Sequence, residues 1–170
     1  MSDFSLRGER RRVAYHEGGH AVTGRHFGLR VTAILVERTH TRDDGSTFKM
    51  WEGVANAPWN TLTAHQQRVT GVAGSVALYC WEAYRDKEPS EVPPLDAIID
   101  RMSEGDWAVQ GEIIDYSTCD ERPWLRAIKT AHRLLNHETG PLWRELRREA
   151  NNLMRHKFIY VPDWRYEEAA

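Results

Sequence analysis

Cysteine is scarce in this chain of 170 residues: Cys80 and Cys119 stand far apart and form no CxxC pair. That argues against a disulfide framework and fits reduced thiols in a cytoplasmic protein. No apolar run approaches the roughly 20 residues of a membrane span, so no membrane partner is expected. An excess of one charge is also missing. The net charge is −2 and the pI about 6.4, which argues against a nucleic-acid binder working through bulk positive charge. The start, Met1-Ser2-Asp3-Phe4, lacks the apolar core of a secretory signal and runs into Arg7, Glu9, Arg10, Arg11 and Arg12. No GxxxxGK followed by Ser or Thr occurs, so an ATP-driven machine is not expected.

Hydrophobic residues make up 41% and charged residues 28%, the balance of a soluble globular protein. The length suits one domain over residues 1–170, with its core at about 10–156 and a short tail at 157–170. A first helix is expected from Glu9 to Phe27, stopped by Gly28. Val31 to Val36 has strand character, Arg42 to Ser46 is a turn signal, and Thr47 to Asn56 is a second strand. The two should form a small antiparallel sheet with Thr47–Asn56 at its edge. Thr63 and Gln66 have capping-box spacing, opening a helix to about Trp81. Its small, apolar middle implies burial, and its glycines imply a close backbone neighbour. Further helices are expected near Leu95–Met102, from Ser103 toward Tyr116, from Pro123 to His137, and from Thr139 or Pro141 to His156. The expected fold is α+β, mainly α, with a C-terminal helical bundle.

Within the first helix lies His16-Glu17-Gly18-Gly19-His20, an HExxH sequence. Residues four apart share a helix face, so both imidazoles can meet one Zn2+ ion. Glu17 adjoins the first ligand and can act as general base toward a water on the metal, then as general acid. A third protein ligand is required. His26 holds the last position of HExxHxxGxxH, but Thr23 stands where that pattern needs Gly. A continuing helix would also turn His26 away from the metal. Glu37 falls at the first strand, Asp96 and Asp100 are weaker alternatives, and Glu104 reads as solvent-facing. Asp106 is the main candidate. Ser103 and Asp106 also have N-cap and N3 spacing, so spacing alone leaves ligand and helix cap both open.

The run Val13-Ala14-Tyr15-His16-Glu17-Gly18-Gly19-His20-Ala21-Val22 resembles the AxHEAGHA zinc helix of FtsH-type metallopeptidases. Val72-Ala73-Gly74-Ser75-Val76-Ala77 is similar to that family's LxGRxAE helix, and Met102 to Asp106 to its TxGAxxDL segment. The resemblance runs in order over roughly residues 10 to 155. It implies that His16, His20 and Asp106 hold zinc, that Glu17 is catalytic, and that a substrate strand adds to the edge at residues 47–56, near Met50 or Trp51. Three departures stand out: Gly18 replaces Ala, Leu78 replaces the acidic residue, with Glu82 the nearest glutamate, and the ATPase module is missing.

The expected function is a zinc-dependent endopeptidase cutting flexible or unfolded polypeptide without an ATPase of its own. The alternative is a non-catalytic zinc-binding regulatory or interaction domain derived from a peptidase fold. A homo-oligomer or a separate ATPase partner stays open. The remaining histidines share no ligand spacing, and Arg144, Arg147, Arg148 and Arg155, interleaved with Glu145 and Glu149, read as a surface ion-pair face.

Overall fold

The structure, a computed structural model, describes residues 3–103, 105–106 and 120–155. Seven elements follow in order: α1 (Asp3–His26), β1 (Thr32–Thr41), β2 (Thr47–Asn56), α2 (Ala64–Asp86), α3 (Leu95–Ile99), α4 (Arg122–Leu135) and α5 (Trp143–Arg155). A single 3₁₀ turn, Trp59–Thr61, links β2 to α2. The fold is α+β and mainly α, with a two-stranded antiparallel sheet. No helix among the described residues is long and apolar enough to cross a membrane. The helix expected from Ser103 toward Tyr116 is described only at Gly105 and Asp106; Glu104, Trp107, Cys119 and the tail lie outside the described residues.

Local chemistry explains the boundaries. Gly28, at φ +90°, closes α1: its N–H donates to the Arg25 carbonyl at 2.9 Å, and the Leu29 N–H to the Gly24 carbonyl at 3.0 Å. This is a Schellman end, and the left-handed φ suits glycine. The capping box of α2 forms as spaced: the Gln66 N–H donates to Thr63 Oγ1 at 3.4 Å, and the Thr63 N–H to Gln66 Oε1 at 3.0 Å. β1 runs beyond the expected end at Val36, because its polar second half pairs residue for residue with β2. Ion pairs Arg38–Glu52 (2.9 Å) and Lys49–Glu37 (3.1 Å) lie along that exposed ladder. α4 stops at Leu135, short of His137, because Asn136 adopts extended geometry. Asn136 Oδ1 accepts from the backbone N–H groups of Glu138 (3.2 Å) and Thr139 (2.8 Å). Thr139 therefore belongs to the turn, and α5 begins only at Trp143.

The core gathers around α1 and α2. Buried Val69, Val72, Val76, Cys80 and Trp81 of α2 meet Ala14, Tyr15 and Val22 of α1, Ile128 and Leu135 of α4, and Leu146 and Leu153 of α5. The two glycines inside HExxH face different neighbours. A Cβ on Gly19 would overlap the Ala73 carbonyl and the Ala77 methyl of α2, whereas one on Gly18 would meet the tip of Leu146 in α5 at 3.1 Å. Backbone cannot yield as a leucine rotamer can. Gly18→Ala is therefore expected to be neutral or stabilising by up to about 1 kcal/mol through helix propensity. Gly19→Ala should cost about 1–3 kcal/mol by overpacking. Urea unfolding of the two variants checks this, and equal costs would contradict it.

Candidate metal centre

Three side chains from two parts of the chain converge on one point. α1 supplies His16 and His20 one turn apart, and Asp106 arrives from the segment after α3. The ligand atoms of all three lie within 4.8 Å of one another. His16 Nε2 is 3.2 Å from His20 Nε2 and 3.1 Å from Asp106 Oδ1, and His20 Nε2 is 2.6 Å from the same oxygen. A tetrahedral site with bonds of about 2.0–2.1 Å has ligand–ligand edges of about 3.3 Å. Two of the three edges are near that length, and the third needs a modest opening. The donor set of two imidazoles and one carboxylate suits zinc.

The surroundings orient these groups. His20 Nδ1 is 2.7 Å from the Thr70 carbonyl, a pure acceptor, so Nδ1 carries the hydrogen and Nε2 is left for a metal. Asp106 divides its carboxylate between the two roles that spacing left open. Oδ2 accepts from the Ser103 N–H at 2.6 Å, while Oδ1 faces the imidazoles. The Asp106 N–H returns to Ser103 Oγ at 3.3 Å, completing a reciprocal cap. Upstream, Arg101 Nη1 donates to Glu82 Oε2 at 2.8 Å, and Glu82 Oε1 accepts from Arg12 at 2.6 Å. Glu82 thus ties the Asp106 segment to both α1 and α2. Leu78, at the position where the resembling pattern has an acid, is buried in the core.

Two glycines make the site possible, and neither was singled out as a site residue from sequence. A Cβ on Gly74 of α2 would overlap the Nε2 atoms of both His16 and His20. The glycine therefore clears room for two imidazoles, not for the close backbone neighbour that the helix pattern implies. A Cβ on Gly53 of β2 would overlap the Glu17 carboxyl. Trp51 alternates to the same face as Gly53, with Arg10 stacked over its ring at 4.3 Å; Met50 alternates to the other face. Isolated glycines in a strand and a helix were the available signals, but their neighbours are set by tertiary approach.

The other expected candidates stay apart. α1 is helical through His26, which is exposed at its end. Glu37 pairs with Lys49, and Asp96 and Asp100 are exposed. Cys80 is a buried free thiol, pushed up to about 12 by burial.

Electrostatics match the packing. Burial raises the Glu17 carboxyl above its ordinary range, outweighing the nearby His20 and His16. Burial alone would lower His20, but the Asp106 carboxylate beside it prevails and raises it to about 9. Burial would raise Asp106, yet the two imidazoles hold it below the usual carboxylate range. Comparison with protein-family models and with curated protein sequences found no match.

Two measurements follow. In the metal-free chain the His20–Asp106 pair stabilises the fold most between the ordinary carboxylate range and pH 6.5; the contribution is lost in acid as Asp106 takes up a proton, and again as pH rises through about 9. A metal must displace the same proton, so zinc affinity should rise across that window and binding at pH 7 should release a proton. Calorimetry in buffers of different ionisation enthalpy checks this; pH-independent affinity would contradict it. Gly74→Ala should lower zinc affinity by at least about tenfold by displacing both imidazoles, comparable to the loss of an orienting partner. Equilibrium dialysis at wild-type affinity would refute that role.

Proposed function

We propose that the chain is a zinc-dependent endopeptidase acting on flexible or unfolded polypeptide segments. The observation that carries this reading is the pairing of a His16/His20/Asp106 donor set with a buried Glu17 of raised pKa. Three protein donors are the number a hydrolytic zinc site uses, and a purely structural site has no use for a base beside its ligands. The resemblance of the HEGGH helix to FtsH-type metallopeptidases supports the same assignment.

When bound, zinc would supply Lewis-acid polarisation of the scissile carbonyl and lower the pKa of water toward about 7. The chain's own residues do the rest. Glu17 takes a proton from the attacking water onto its carboxylate and delivers it to the leaving amine nitrogen. Its raised pKa makes it a stronger base and lets it hold the proton between the two steps. Thr70 keeps His20 in one tautomer through the bond to Nδ1. β2 pairs only with β1 among the described residues, and its Gly53 lies against Glu17. A peptide adding along the outer edge of β2 would therefore run beside the base. The proposed substrates are extended segments, because a strand edge takes an extended peptide. A reducing, cytoplasmic setting belongs to the proposal, in keeping with the buried Cys80 thiol.

Cleavage of unfolded casein or a peptide library by zinc-loaded protein tests the reading. Glu17→Gln should retain zinc and lose about 10²–10⁴-fold in kcat. Equal rates in both proteins would remove Glu17 from the chemistry. No cleavage by the zinc-loaded wild type would favour the non-catalytic zinc-binding domain instead.

A further inference from the structure

The outer face of α5 carries Arg144, Arg147, Arg148, Asn151, Asn152 and Arg155, all exposed. Steps of three and four residues align them in one stripe about 16 Å long. The opposite face, Leu146, Ala150 and Leu153, is buried. The stripe lines a hollow of about 630 Å³ together with Trp143 of the same helix, Tyr84 and His137.

The interleaved glutamates do not neutralise this face as an ion-pair reading would require. Glu149 turns to Arg25 of α1, at 2.8 and 3.1 Å. Among the described residues, the one ion pair of Glu145 is with Arg148, at 3.9 Å. Arg144, Arg147 and Arg155 have no carboxylate partner among the described residues. The Arg147 guanidinium lies 5.2 Å from the Tyr84 ring centroid.

We propose that this hollow docks an acidic segment of polypeptide. Guanidinium forks match carboxylates in bidentate geometry, and asparagine amides can bond an extended backbone. About five extended residues, at about 3.3 Å each, span the stripe. The rings favour peptide over single-stranded nucleic acid. Tyr84, His137 and Trp143 pack against one another at centroid distances of 5.3 to 6.0 Å, and Arg147 covers Tyr84. Few faces are left on which bases could stack. The net charge of −2 also provides no wider positive field for a long phosphate chain. A functional consequence rests on the peptidase reading: a substrate carrying an acidic stretch would be held on the chain while another of its segments is cut.

Fluorescence anisotropy tests the docking alone, using Glu17→Gln protein so that cleavage does not interfere. The probes are a labelled Glu/Gly peptide, its Gln/Gly and Lys/Gly counterparts, and a single-stranded oligonucleotide of equal length. The acidic peptide should bind, lose affinity with added salt, and bind at least about tenfold more weakly after Arg144→Glu/Arg148→Glu/Arg155→Glu. These side chains lie outside the core, and circular dichroism of that variant and of a milder Arg144→Gln/Arg155→Gln pair confirms folding. Equal binding of all peptides, unchanged binding by the charge-reversed protein, or preference for the oligonucleotide would overturn the proposal. In the wild-type background the same charge reversal should raise KM for an acidic substrate and leave kcat unchanged. Docking without any cleavage by zinc-loaded wild type would preserve the docking site and overturn the peptidase reading.

Discussion

The site depends on how closely α1 lies against α2. Gly19 has no side chain, so the Ala73 carbonyl and Ala77 methyl can come up to its backbone. The same contact brings the Thr70 carbonyl within 2.7 Å of His20 Nδ1 and places Gly74 against both imidazoles. On α1 the participating positions are 16, 19 and 20; on α2 they are 70, 73, 74 and 77. Both sets follow the i, i+3, i+4 spacing of one helix face. Widening this contact by one methyl group would move the His20 orienting bond and the imidazole cavity together, because all three features share one interface.

The remaining neighbours divide the work residue by residue along HEGGH. Glu17 faces Gly53 of β2, Gly18 faces Leu146 of α5, and Gly19 faces Ala73 of α2. The helix is held on three sides, so its two histidines have little freedom. Asp106 is held from its own side by the reciprocal bonds with Ser103 and, through Arg101, by Glu82. Charge and burial then act in opposite directions on neighbouring groups. Burial raises Glu17, while mutual attraction within the His20–Asp106 pair overcomes burial at both partners. A carboxyl group of raised pKa thus adjoins two imidazoles and a second carboxylate.

Local features were legible in the sequence. The HExxH pair needs only one helical turn, the Thr63/Gln66 box only three residues, and the hairpin turn only a short polar run with Gly45. All three form as their spacing implied. Features that depend on tertiary approach were not. Gly18 and Gly19 look alike in sequence, yet one meets a movable side chain and the other a fixed backbone. Gly53 and Gly74 show only as breaks in pattern until Glu17 and the histidines are placed over them. The spacing of Asp106 from Ser103 suggested cap or ligand as alternatives; a carboxylate has two oxygens, and the structure uses one for the cap and directs the other at the imidazoles. The arginines of α5 sat at ion-pair spacing from Glu145 and Glu149, but spacing within one helix cannot show that Arg25 of another helix takes Glu149.

The proposed zinc site consists of His16, His20 and Asp106 holding one ion together. X-ray absorption at the zinc edge of stoichiometrically loaded protein, alongside Asp106→Ala, tests it most directly. The expected result is four-coordinate zinc with two imidazoles and oxygen donors at about 2.0–2.1 Å, and a changed oxygen shell with weaker binding in the variant. Failure to bind one zinc, a sulfur ligand, or an identical spectrum and affinity in Asp106→Ala would contradict it.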